Sequence, residues 1–169
     1  MKTKLMITIL ICSIQCIAQE FKALDDKNGF RNFIFGTDIA SYKSMSQFDV
    51  SNDGLTKYYF KTDDKLTIGI NKLEGIAYGF YKGKLSTIVI KTKGSENSHG
   101  VFASLREMYG SSWAPDEYTD QHHWLGKVVR MTYEETLNGD ATVIMMSESI
   151  IKQIKKDEAA ANKKSKSDW

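Results

Sequence analysis

The stretch Gly75-Ile-Ala-Tyr-Gly-Phe-Tyr81-Lys-Gly-Lys-Leu85-Ser-Thr-Ile-Val-Ile90 decides the fold of this chain. Ile76, Tyr78 and Phe80 are spaced two apart, which predicts a strand with three large apolar side chains on one face. Lys82-Gly83 predicts a tight turn, because glycine tolerates the positive φ that hairpin turns need. Residues 85–90 predict the returning strand, and the broken alternation between Leu85 and Ile88 predicts a bulge.

An amphipathic helix is predicted directly after this hairpin. Residues 95–98 offer several N-cap candidates, and Gly110 stands where a glycine would end the helix. A hairpin alone is marginal in water, so we expect the helix to pack across the sheet and close a core. The apolar positions at helical spacing are Val101, Phe102, Leu105, Met108 and Tyr109.

The segment before the hairpin predicts further strands. Residues 29–36 predict a first strand, Thr37-Asp38 predicts the start of a short helix reaching about Met45, and residues 46–54 predict a loop. Strands predicted at 55–61 and 65–70 would complete a four-stranded antiparallel meander over residues 55–91.

The segment after the helix predicts a second hairpin. Residues 124–135 predict one strand, Asn138-Gly139 predicts a type I′ turn with both residues at positive φ, and residues 141–146 pair back. A last helix carries Ile150, Ile151 and Ile154, and beyond Ala161 we expect a frayed tail. The expected fold class is α+β: an antiparallel sheet of about six or seven strands (meander, helix, hairpin) with helices packed on one face.

The first 19 residues have the pattern of a secretory signal peptide. A basic start precedes an apolar run over residues 5–17 and Ala18-Gln19, with cleavage expected after Ala18 or, alternatively, after Gln19. The run is shorter than the roughly 20 residues of a transmembrane helix, so no membrane span is expected after cleavage. We therefore expect an exported protein, periplasmic or extracellular, with one domain over residues 20–151 and a charged helix end and tail over 152–169.

Both cysteines, Cys12 and Cys16, lie in this leader, so the mature chain is expected to have no disulfide and no reactive thiol. The residues before Cys16 do not form a lipobox, which argues against a lipid anchor there. Removing Lys2 and Lys4 leaves 21 basic against 21 acidic residues, down from a net charge of +2. A neutral chain gives no electrostatic case for nucleic acid.

A set of turns and core aromatics looks familiar as a group. It consists of Asn28-Gly29-Phe30, Phe35-Gly36-Thr37, the segment from Tyr78 to Leu85, Leu105 with Tyr109-Gly110, and Trp124, Gly126 and Tyr133. This arrangement resembles small exported α+β proteins of uncharacterised function that are typical of Bacteroidetes-type genomes. The resemblance implies an envelope location and brings no activity to any residue.

Two parts of the sequence contain residue types that bind metal ions. His122-His123, with His99 and nearby carboxylates, could suggest zinc, but adjacent strand residues point to opposite faces. Asp49, Ser51, Asp53 and Gly54 imitate half of a calcium loop, whose twelfth position is Phe60, which cannot bind a cation. No cofactor is expected.

Catalytic signatures are absent from the sequence. It contains no Gly-x-Ser-x-Gly motif, no thiol after cleavage and no phosphate loop, so no catalytic residue is assigned. The alternative to a non-enzymatic protein is a small envelope hydrolase that uses His122 or His123 with Asp116, Glu117 or Asp120.

Aromatic residues are more numerous than one inward sheet face needs. We expect Tyr59 and Tyr81 to point away from the face of Phe80, and Trp113 to lie in a long loop. With Trp124, these residues would form a surface for a ligand or partner, either an envelope protein or a small molecule. The leading hypothesis is therefore a non-enzymatic binding or interaction module of the cell envelope.

Overall fold

The predicted hairpin at residues 75–91 lies at the centre of a seven-stranded antiparallel sheet. The computed structural model describes residues 21–116 and 118–167. Its helices pack against the sheet, so the predicted α+β class is confirmed. In sheet order the strands are β3 (Met45–Val50), β4 (Thr56–Lys61), β7 (Gly75–Tyr81), β8 (Lys84–Lys91), β11 (Ala141–Ser147), β10 (Val129–Glu135) and β9 (Gln121–Leu125).

The central hairpin has the predicted turn and the predicted bulge. Lys82 and Gly83 both have positive φ, at 48° and 82°. Phe80 pairs with Leu85 and Gly79 with Thr87, so Ser86 is the extra residue of β8. This bulge lets Leu85 and Ile88, three positions apart, both face the core.

The second hairpin differs from its prediction in two places. Its turn has Gly139 at φ 79°, whereas Asn138 is not at positive φ, so the turn is not type I′. A hydrogen bond from Gly139 N–H to Thr136 O closes it. The strand predicted over 124–135 is two strands, because the chain reverses between β9 and β10 at residues 126–128.

The N-terminal half of the chain differs most from the elements that the sequence predicts. The predicted strand over 29–36 is a small hairpin of β1 (Gly29–Phe30) and β2 (Phe33–Ile34), and the predicted helix after it is one 3-10 turn, Ile39–Ser41. The predicted loop over 46–54 contains the edge strand β3.

The predicted meander is also wrong in one strand. Only β5 (Thr67–Ile68) forms within residues 65–70, and it pairs with β6 (Asn71–Lys72) in a separate two-stranded sheet. As a result β4 pairs directly with β7. The segment 62–74 is a long excursion that leaves the main sheet and returns to it.

Two helices pack on the core side of the sheet. α1 (Lys22–Lys27) inserts Leu24 into the core, and α2 (Ser95–Tyr109) buries Val101, Leu105 and Tyr109. The N-cap of α2 is Gly94, not one of the predicted candidates at residues 95–98, and Gly94 N–H donates to Asp140 Oδ1 at 2.9 Å. Met108, predicted as apolar core, is exposed.

The last helix, α3 (Glu148–Ser167), continues beyond Ala161, where a frayed tail was expected. Its side chains reach Arg130 and Tyr81. Both residues alternate with core residues of β10 and β7, so α3 lies on the opposite, outer face of the sheet. The core between the sheet and α2 centres on Tyr78, Phe80, Leu85, Ile88, Ile90, Trp124, Met131, Tyr133, Val143 and Met145.

Candidate functional site

One end of the outer sheet face is covered by α3. Glu148 pairs with Arg130 at 2.6 Å, and Asp157 accepts hydrogen bonds from Tyr81 Oη at 2.7 Å and Lys82 Nζ at 2.6 Å. These bonds from Lys82 and Tyr81 lower the pKa of Asp157 to about 2. The helix therefore crosses the sheet from β10 to the end of β7 and leaves the other end open.

The open end contains a groove that we call the Phe48–Phe60 groove. The two phenyl rings lie 6.1 Å apart and are 56% and 42% exposed. The groove has a volume of about 400 Å³, within the range of small-molecule sites. It is lined by Phe48, Phe60, Gly75, Ile76, Ala77, Val89 and Lys91.

A bulge in the edge strand positions the outer ring of the groove. Gln47 pairs with Tyr59 and Asp49 with Tyr58, so Phe48 is the extra residue of β3. An extra residue breaks the alternation of a strand and redirects its side chain. The ring of Phe48 consequently lies beside Phe60 in the open groove.

The sheet opens beside this groove, between β4 and β7. Their pairing ends at Tyr59–Tyr78, although β4 stays paired with β3 as far as Lys61 and β7 begins at Gly75. On the core side of the opening lies a second hollow of about 350 Å³. It shares Phe60, Gly75 and Ile76 with the groove and is otherwise lined by Lys61, Thr62, Asp64, Leu66 and Glu74.

The peptide group of Ile76 faces the opening. In an antiparallel pair every second residue directs its N–H and C=O at a given neighbour. Lys82 N–H, in the turn after β7, donates to Leu55 O at 2.8 Å. By alternation from Lys82, the N–H and C=O groups of residues 80, 78 and then 76 of β7 point to the β4 side. The β4 ladder does not reach Ile76, so its peptide N–H and C=O point into the gap.

The four predicted surface aromatics are not brought together. Tyr59 lies on the core side, edge-on to Phe80 at 5.5 Å, which contradicts its predicted direction. Tyr81 does point away from Phe80, but α3 covers it and leaves 3% exposed. Trp124 is fully buried and donates to Gly110 O at 2.9 Å. Only Trp113, 57% exposed, is open to solvent, at the far edge beside β9.

The residues that do form an exposed aromatic pair are not among those four. Phe60 is one of the aromatic residues that exceed the need of one sheet face, and the strand predicted at residues 55–61 already contains it. Phe48 stands in a stretch that predicts loop. The pairing of β3 with β4 brings the two together, and no local spacing signals that pairing.

His122 and His123 lie on opposite faces, as adjacent strand residues must. His122 Nδ1 lies 3.0 Å from Ser112 Oγ, and its ring packs 4.3 Å from that of Phe102. Burial there lowers the pKa of His122. His123 Nδ1 lies 3.2 Å from Thr132 Oγ1. Within the described residues neither ring is hydrogen-bonded to a carboxylate, and Glu117 lies outside that range.

The other candidate metal residues have local partners. His99 Nε2 lies 3.2 Å from Glu135 Oε1, and Asp53 accepts from Leu55 N–H at 2.9 Å in a loop turn. In the part of the chain that the structure describes, no group of three or more metal-binding side chains is found. The same part contains no helix long and apolar enough to cross a membrane.

The fold and the groove together define a small α+β protein with an apolar surface groove at an opening of its sheet. Comparisons with protein-family models, with curated proteins and with solved structures give no match. Its function is therefore inferred from the chain's own residues.

Proposed function

We propose that this protein is an exported, non-enzymatic binding module of the cell envelope, and that the Phe48–Phe60 groove is its ligand site. The leader pattern in residues 1–19, which lie outside the described range, supports export, as does the resemblance to small exported proteins. The groove supports binding. The observation that carries the proposal is an aromatic pair left open beside an uncovered part of the sheet.

The lining of the groove indicates a ligand with an apolar body. Fully burying a phenylalanine side chain is worth about 1.5–3 kcal/mol, so two half-exposed rings leave a considerable driving force for binding. Lys91 adds an ammonium group at the rim, and no ion pair found among the described residues involves it. A ligand with a negative group beside its apolar part suits this arrangement.

The alternative function, a small hydrolase, has one supporting contact. Ser112 Oγ and His122 Nδ1 are within hydrogen-bond distance, as a nucleophile and its base would be. Among described residues, no carboxylate hydrogen-bonds to the His122 ring, and a catalytic pair normally has such an orienting group. The groove lies across the sheet from this pair, on β3, β4, β7 and β8.

The proposal is tested with 8-anilinonaphthalene-1-sulfonate, a fluorescent probe with apolar rings and one negative charge. We expect residues 20–169 to bind it at neutral pH in the folded state, and Phe60→Thr to weaken binding at least about tenfold. Threonine removes the ring but retains a good strand former. The matched control is Trp113→Thr, which removes an exposed ring from the far edge of the sheet and should leave binding unchanged.

Near-ultraviolet circular dichroism of each variant shows that its core remains packed, because the probe also binds partly unfolded chains. Equal weakening by both substitutions, or binding that survives Phe60→Thr, would show that the groove is not the site.

A further inference from the structure

We propose that the ligand of the Phe48–Phe60 groove is an extended segment of a partner protein, which enters the opening between β4 and β7 and pairs with the peptide group of Ile76. This inference rests on the proposed function and narrows the ligand to one class. It stands on three features of the opening: the backbone of β7 beyond the end of the β4 ladder, the two hollows and the charge.

The first feature is the backbone of β7. The N–H and the C=O of Ile76 both point into the opening. The pairing of β4 with β7 ends at Tyr59 and Tyr78, two residues before it would reach Ile76. A polypeptide in the extended conformation supplies the matching acceptor and donor from a single residue. Strand addition of this kind is a common way to bind peptides. A hydrocarbon ligand offers neither group.

The second feature is that a hollow lies on each side of the opening. Successive side chains of a strand point to opposite faces. A segment in the opening would therefore place one side chain against Phe48, Phe60 and Val89, and the next against Leu66 on the core side. The two hollows have similar volumes, about 400 and 350 Å³, which suits side chains of similar size.

The third feature is charge. Lys91 lies at the rim on the outer side, whereas the carboxylate of Asp64 on the core side is already bonded to Arg31 and Tyr78. Glu74 also lines the core-side hollow and carries a negative charge, so the positive charge at the opening lies on the outer side, where Lys91 is the charged residue of the groove lining. This favours a segment whose outward-facing positions combine an apolar residue with an aspartate or glutamate.

A selection from a random seven-residue peptide library, displayed on phage and passed over immobilised residues 20–169, tests this inference. We expect enrichment of peptides with apolar residues at alternating positions and an acidic residue two positions from one of them. Lys91→Gln should weaken a selected peptide several-fold, and Phe60→Thr should abolish enrichment. The matched control is Lys93→Gln, a substitution of the next lysine along the chain, outside the groove.

The backbone contact has its own readout. In the bound peptide, one backbone N–H donates to the C=O of Ile76. Methylation of that nitrogen should weaken binding about tenfold, whereas methylation of the neighbouring backbone nitrogen of the peptide should not. In nuclear magnetic resonance spectra, the Ile76 amide proton should gain protection from exchange when the peptide binds.

Two results would overturn the inference. One is that the unmodified protein enriches no peptides beyond those that the Phe60→Thr protein also enriches. The other is a selected peptide that binds with an unprotected Ile76 amide and tolerates methylation at every position. If the anilinonaphthalene probe still binds through Phe60, the groove remains the ligand site and only the peptide class is rejected; if the probe fails too, the proposed function is rejected as well.

Discussion

Asp64 is the residue that ties the long excursion of residues 62–74 to the rest of the fold. Its carboxylate accepts from Tyr78 Oη at 2.5 Å and from Arg31 Nη1 at 2.8 Å, and its side chain is only 9% exposed. Burial and the neighbouring Asp64 raise the pKa of Tyr78, so the hydroxyl remains a donor at every physiological pH. One carboxylate thus connects the β1–β2 turn, the excursion and the central strand β7.

We expect Asp64→Ala to lower the free energy of unfolding by about 2–3 kcal/mol, because it leaves the buried Tyr78 hydroxyl without its acceptor and the Arg31 guanidinium, which also donates to Thr67 O, without its carboxylate. The measurement is urea denaturation followed by tryptophan fluorescence.

The control for Asp64→Ala is Asp63→Ala. Asp63 is adjacent in sequence but its ion pair with Lys61 is exposed, so its loss should cost no more than about 1 kcal/mol. Equal effects of the two substitutions would contradict the structural role of Asp64.

At the scale of elements, polar contacts help to hold α3 on the outer sheet face. Ile150, Ile151 and Ile154 are only half-buried, and the side chains from Glu158 to Lys164 are exposed. The bonds from Tyr81 and Lys82 to Asp157 therefore have a large share in fixing the helix.

The docking of α3 should depend on pH through Asp157. The folded-state pKa of about 2 is below the ordinary value of 3.8, so this contact stabilises the folded state above pH 3.8 and is lost as pH falls through about 2. We expect Asp157→Asn to remove this dependence and to speed hydrogen exchange of α3 amides already at pH 5.

Glu158→Gln changes the next carboxylate, which is exposed, and should leave both the exchange rates and their pH profile as in the unmodified protein. Identical profiles for the Asp157 variant and the unmodified chain would show that the helix is held by its isoleucines instead.

At the scale of the whole molecule, Asp25 joins the first helix to the far end of the sheet. Its carboxylate accepts three backbone N–H bonds from the β9–β10 turn: from Lys127 and Val128 at 2.8 Å and from Val129 at 3.0 Å. The turn must present a glycine to this carboxylate, because a Cβ at Gly126 would lie 2.2 Å from Asp25 Oδ1. Residues about a hundred positions apart are thus fixed to each other.

We expect Asp25→Ala to destabilise the protein by about 2 kcal/mol, because three amide donors lose a charged acceptor. Hydrogen exchange should speed up at residues 127–129 together with α1, since the same contact holds both.

Asp26→Ala removes the neighbouring carboxylate, whose partner Lys22 is exposed, and should change stability by no more than about 0.5 kcal/mol. If only α1 were released and the turn kept its protection, the carboxylate would not be what orders the turn.

Several features of the fold could be predicted because neighbours along the chain determine them. The alternation of Ile76, Tyr78 and Phe80, the turn at Lys82-Gly83, the bulge at Ser86 and the extent of α2 all follow from local periodicity and from backbone preferences. The α+β class follows from these elements, since a sheet with one apolar face needs helices to cover it.

Tertiary structure decided which strands became neighbours, and with them the candidate site. The apolar alternation of residues 65–70 is compatible with a strand, but β7 pairs with β4 instead, and the excursion of residues 62–74 folds aside. Phe48 gains its place beside Phe60 only through a bulged pairing, and Trp124 and Tyr81 are buried by elements distant in sequence. The alternation of apolar residues along a strand shows which side chains share a face. Which face other elements cover, and where the pairing of two strands ends, depends on contacts between distant residues, which local spacing does not encode.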